Sequence, residues 1–84
     1  MEISDRIVYT VHAERKLRER KLSKRLVEAT IMNPQADTEA VFGRRIAQRT
    51  MGRKLLRVVY EKDGSVYIVI TAYYTEPGRY VWML

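Results

Sequence analysis

At 84 residues, 46% of them hydrophobic and none a cysteine, the chain has the size of one small domain with a single core layer. It has neither a disulfide framework nor a thiolate metal site. The formal net charge of +6 calls for a polyanion or an acidic protein as partner.

No apolar run approaches bilayer length. The opening Met1-Glu2-Ile3-Ser4-Asp5 lacks the charged-then-apolar layout of a signal segment, so a cytoplasmic protein without membrane attachment is expected. A single asparagine, Asn33, beside abundant arginine points to a thermophilic source.

Ile3 to Tyr9 is an extended or irregular lead-in. Thr10 is a suitable helix N-cap, and the spacing predicts a first helix over Val11 to Lys21 with Ala13 and Leu17 on its buried side. Glu14 with Arg18 and Arg15 with Glu19 form acid-first i, i+4 pairs, worth a few tenths of a kcal/mol each. Ser23 restarts a helix, and Leu22 with Val27 has the spacing of a hydrophobic staple. Leu26, Val27, Ala29, Thr30 and Ile31 supply its apolar stripe, and Asn33-Pro34 ends it.

From Gln35 the period changes to that of strands. Ala36 to Phe42, Arg44 to Met51 and Lys54 to Glu61 are three expected strands. Gly43 separates the first two, and Gly52-Arg53 is a tight turn between the second and third. In the third, Leu56, Val58 and Tyr60 alternate with Leu55, Arg57 and Val59. Asp63-Gly64 is a hairpin signal into Val66 to Tyr74, a run dense in β-branched and aromatic residues that reads as the central strand. Simple alternation there puts Val66, Ile68, Ile70 and Ala72 against a core and leaves Tyr67, Val69, Thr71 and Tyr73 on an open face. After Glu76-Pro77-Gly78, Arg79 to Leu84 is expected to return as an edge strand. The fold class is α+β over residues 1–84: an N-terminal helical hairpin on one face of a four- to five-stranded antiparallel sheet.

Two constellations carry candidate chemistry. His12, Lys16 and Arg20 recur at i, i+4 and i+8, within about 80° of arc on the first helix. One imidazole and two cations in a ridge suit a phosphate, since histidine moves protons near neutral pH and the cations offset charge. The same spacing also fits a solvated helix face. The second is Arg44, Arg45, Arg49, Arg53, Lys54 and Arg57, a basic run without an acid among them. Alternation puts Arg45 and Arg49 on one face, where a neighbouring strand would set Arg57 near them. With Tyr67, Tyr73 or Tyr74 close by, charge and stacking platforms combine as single-stranded RNA requires. No Gly-rich phosphate loop or G-x-S-x-G turn is present, and one histidine without cysteine offers little for zinc; no cofactor is expected.

Thr10-Val11-His12-Ala13, followed by Lys16, Arg20, Leu22 and Ser23, resembles the opening T-x-H-A-x-x-R-x-x-x-R-x-I-S of small microbial domains of unknown function related to the RelE/ParE toxin superfamily. The family pattern continues with a short helix ending in N-P, matched by Asn33-Pro34. It has an L-x-V-V-Y-like strand, to which Leu56-Arg57-Val58-Val59-Tyr60 is similar, and a V-I-T-A-Y strand, met by Val69-Ile70-Thr71-Ala72-Tyr73. Two positions depart from it. Lys16 stands where the pattern has arginine, losing the planar fork, and Lys21 stands where it usually has glycine. The resemblance implies the helices-on-sheet fold of RelE and barnase-like ribonucleases, and a toxin-type, metal-independent endoribonuclease with an antitoxin chain as partner.

On that reading His12 and Tyr73 exchange protons with the 2′-hydroxyl and the leaving 5′-oxygen. Arg57, Arg45 and Lys16 stabilise the scissile phosphate, Thr71 orients a neighbour, and Arg20 and Arg49 extend the RNA contact. A homodimer is also compatible with the family. Two alternatives stay open: a non-catalytic nucleic-acid or partner-binding module on the same basic face, and a toxin directed at DNA gyrase.

Overall fold

The computed structural model describes residues 6–76. Its elements are β1 (Arg6–Tyr9), α1 (Val11–Glu19), α2 (Lys24–Met32), β2 (Ala36–Glu39), β3 (Arg45–Met51), β4 (Lys54–Asp63) and β5 (Val66–Thr75). The expected strand over Arg79 to Leu84 lies outside the described residues.

Both helices start where their caps require. The Thr10 hydroxyl accepts from the Ala13 amide at 3.0 Å, and Ser23 Oγ accepts from the Leu26 amide at 3.2 Å. α1 ends two residues earlier than its pattern suggests. Lys21 sits at φ 55, the Leu22 amide donates to the Leu17 carbonyl and the Lys21 amide to the Arg18 carbonyl. These are the paired bonds of a Schellman motif, and Leu17 and Leu22 supply its apolar contact within the core. The motif demands a left-handed residue, which is why glycine suits position 21 better than lysine. Leu22 and Val27, the staple pair, are both buried.

The sheet order is β1-β5-β4-β3-β2. Every pairing is antiparallel except β1 with β5, so the sheet is mixed, and the N-terminal lead-in completes one of its edges as a parallel strand. β2 stops at Glu39, short of the expected Phe42, because the chain turns sharply through Phe42 and Gly43. The helices cover one face of the sheet. Ala13, Leu17, Leu22, Val27 and Ile31 from them meet Ala47, Leu56, Val58, Tyr60, Val69 and Ala72 from the strands.

β5 does not alternate simply, contrary to the sequence expectation. Val59 pairs with Thr71 and its neighbour Tyr60 with Val69, so Ile70 is an extra residue in the strand. Such a bulge switches the side on which all later residues point. Val69 and Ala72 are thus both fully buried, while Tyr67 and Tyr74 pack against the same core. Val66, Ile68 and Ile70 are only half-buried and do not form the core face. Tyr67 and Val69 therefore leave the open face on which alternation had placed them; Thr71 and Tyr73 stay on it. β1 pairs only as far as Val69. Past that point α1 serves the bare β5 edge: the Thr10 amide donates to the Val69 carbonyl at 3.1 Å, and Arg20 Nη1 to the Ala72 carbonyl at 2.8 Å.

Candidate nucleic-acid interface

The β3–β4 hairpin turns at Gly52-Arg53 with Met51 opposite Lys54, which brings Gln48 opposite Arg57. β5 places Tyr73 on the other side of Arg57. Leu56 and Val58, the chain neighbours of Arg57, point into the core, so Arg57 points to the face without helices. There its Nε donates to the Tyr73 hydroxyl oxygen at 3.2 Å and its Nη1 to Gln48 Oε1 at 2.9 Å. Two residues back along β5, Thr71 Oγ1 accepts from Arg20 Nη1 at 3.3 Å. Gln48, Arg57, Tyr73, Thr71 and Arg20 thus form a polar track across β3, β4 and the edge of β5, with a guanidinium at each end of the Thr71–Tyr73 pair. The face is mixed rather than polar throughout, since Ile46, Val59 and Leu55 share it by register.

Of the expected ridge on α1, Arg20 reaches β5. His12 is exposed, with Nδ1 3.3 Å from Arg15 Nη2, and Lys16 Nζ lies 3.3 Å from Glu19 Oε1. The structure therefore joins Arg20, Thr71, Tyr73 and Arg57, while the contacts of His12 and Lys16 lie within their own helix.

The expected grouping of Arg45 and Arg49 with Arg57 does not hold. Arg45 pairs with Tyr60 and Arg49 with Leu56, both core residues, so these arginines lie on the helix side of the sheet. Arg49 Nη1 donates to the Asn33 carbonyl at 2.7 Å, a cation at the C-terminus of α2. Arg45 Nε donates to Asp37 Oδ1 at 2.8 Å, and Asp37 Oδ2 accepts from the Tyr60 hydroxyl at 2.5 Å. Burial, then the bond to Asp37 and its negative charge, push the Tyr60 phenol up to about 12, with Arg45 acting the other way. Asp37 raises Arg45 in turn. Asp37 was missed because its partners come from two other strands. Gln48 was missed although its register follows by counting back from Gly52-Arg53.

Among the described residues no three histidine, aspartate or glutamate side chains gather as metal ligands, and no helix is long and apolar enough to cross a membrane. No curated protein and no solved structure matches the chain. A family model does match, over residues 9–74, which takes in α1, α2 and nearly all of the sheet, including the whole Arg20–Thr71–Tyr73–Arg57 track. The chain belongs to the family described as Domain of unknown function (DUF4258).

Proposed function

We propose that this domain is a metal-independent endoribonuclease of the toxin type, related to the RelE/ParE superfamily, and that the helix-free face of its sheet receives the RNA. The observation that carries the reading is the Arg57–Tyr73 pair. The guanidinium donates to the phenol oxygen, so the phenol keeps its own hydrogen to give away. In the reaction the 2′-oxygen attacks phosphorus and the bond to the 5′-oxygen breaks, leaving a 2′,3′-cyclic phosphate and a 5′-hydroxyl. Tyr73 protonates the leaving 5′-oxygen, and Arg57 and Arg20 offset the charge that gathers on the phosphate. Thr71 holds Arg20 against β5.

His12 takes the proton of the 2′-hydroxyl. It lies eight residues from Arg20, about 12 Å along the helix axis, so the RNA must run along α1 to meet both groups. The toxin reading brings with it an antitoxin chain, and a surface of net positive charge suits an acidic one.

One observation favours a second reading, in which the same track holds RNA without cutting it: the imidazole bonds Arg15 on the exposed side of α1. Incubation of the purified chain with single-stranded RNA in excess EDTA separates the two. The cleavage reading expects fragments ending in 2′,3′-cyclic phosphate, made more slowly by His12→Ala. Intact RNA that is nonetheless bound with a steep salt dependence would leave the binding module. Cleavage unchanged by His12→Ala would remove the imidazole from the mechanism.

A further inference from the structure

The turn between β2 and β3 carries a feature that the fold itself does not use. Val41-Phe42-Gly43-Arg44 closes with the Arg44 amide donating to the Val41 carbonyl at 3.2 Å. Its central residues both have positive φ, Phe42 at 61 with ψ 34 and Gly43 at 72. That is type I′ geometry, in which the first central place belongs to asparagine, aspartate or glycine. A phenylalanine there bears a steric cost on the order of 1 kcal/mol. Burial does not offset it, since the ring is 86% exposed and the neighbouring Val41 71%. Strain combined with an exposed aromatic ring points to a ligand.

What lies beside the ring identifies the ligand's chemistry. Gly43, next in the chain, lines a cavity of about 320 Å³ together with Arg44, Arg45, Lys62, Glu39 and Ala40. Three cations and one carboxylate face this space. Arg44 spends its Nε on Glu61 at 3.2 Å, and Arg45 directs Nε and Nη2 to Asp37, so both guanidinium groups are held in place with further N–H groups to give. Lys62 Nζ stands 4.5 Å above the Tyr67 ring.

We infer that this end of the sheet is a binding site for a nucleotide unit, the base stacked on Phe42 and the phosphate held in the cavity by Arg44, Arg45 and Lys62. A fixed cationic recess next to a bare aromatic ring is the pairing that single-stranded nucleic acid requires. The site is separate from the Arg57–Tyr73 track and does not depend on cleavage there.

The test uses the whole chain and a fluorescently labelled ten-nucleotide oligodeoxythymidine, which has no 2′-hydroxyl and so reports binding whether or not RNA is cut. Phe42→Ala is expected to weaken binding about tenfold. Phe42→Trp is expected to keep it, and Lys62→Gln to lower the slope of log affinity against log salt by about one. Thymidine monophosphate distinguishes the source. A strand bound far more tightly than the mononucleotide, with both dependent on Phe42, assigns a polynucleotide; equal affinities with the same dependence assign a free nucleotide. Both outcomes support the site. Three results would overturn it: no binding by the unaltered chain, binding indifferent to Phe42→Ala, or a polyglutamate peptide bound with the same Phe42 dependence, which would make the surface a protein dock. Cleavage lost in Arg57→Ala but kept in Phe42→Ala would leave the proposed function standing when this inference falls.

Discussion

Arg57→Ala is expected to slow RNA cleavage by about 10²- to 10³-fold while leaving the thermal midpoint of the protein little changed. The side chain is half-buried on the helix-free face and takes no part in the core cluster, so its loss removes charge stabilisation without opening a cavity. Arg57→Lys should recover only part of the rate, because an ammonium cannot hold Tyr73, Gln48 and a phosphate oxygen in one plane. Tyr73→Phe keeps the ring and deletes the proton donor, with an expected loss of about 10²- to 10⁴-fold. Since Arg57 and Tyr73 touch, the double variant should lose less than the product of the two single effects. Rates of all three variants near that of the unaltered chain would remove the pair from the chemistry.

The second large effect concerns pH. The Tyr60 hydroxyl is only 3% exposed with its residue and donates to Asp37, so its phenol ionises near 12 in the folded chain, against a usual 10.0. A group whose folded pKa is raised adds stability in full below its unfolded value and loses it as pH climbs through the folded value. Folding should therefore weaken between pH 10 and about 12, by on the order of 2 kcal/mol from this residue. Tyr9, buried and bonded to Glu28 at 2.6 Å, is shifted in the same direction and should add to the loss. Urea melts at pH 8, 10 and 11.5 check this. Tyr60→Phe should cost stability at pH 8 and flatten the alkaline decline. A decline as steep in Tyr60→Phe as in the unaltered chain would mean that the phenol does not titrate as described.

Much of the architecture can be read from local chemistry. Thr10 and Ser23 announce the helices because a hydroxyl that accepts from an amide three residues on acts entirely within its own segment. Leu56, Val58 and Tyr60 face the core as alternation requires. What escaped such reading depends on distant parts of the chain. The bulge at Ile70 leaves no mark in the strand's composition, yet it moves Tyr67 and Val69 to the buried side and so decides which tyrosine stands beside Arg57. The parallel pairing of Arg6–Tyr9 with Val66–Val69 joins segments some sixty residues apart, beyond any local pattern.

The candidate site was legible by the same division. Arg57 and Tyr73 come together through β4–β5 register, and Arg20 reaches Thr71 through the seating of α1 on the β5 edge. Arg45 and Arg49 were grouped with Arg57 because alternation within β3 says which residues share a side but not which side faces the helices. The acids that hold these cations, Asp37 and Glu61, lie on neighbouring strands, so a run that looks unbalanced along the chain is partly balanced across the sheet.

The central claim is that RNA lies on the sheet's helix-free face at Arg57. The most direct check is NMR of the arginine Nε–H and backbone amide signals during titration with a 2′-O-methyl single-stranded RNA, which binds but offers no 2′-hydroxyl for cleavage. The account predicts that the Arg57 Nε–H signal moves together with the amides of Thr71 and Tyr73, saturating at one ligand concentration. An Arg57 signal that stays still while RNA is demonstrably bound, with shifts gathered instead on α2 and β2, would contradict it.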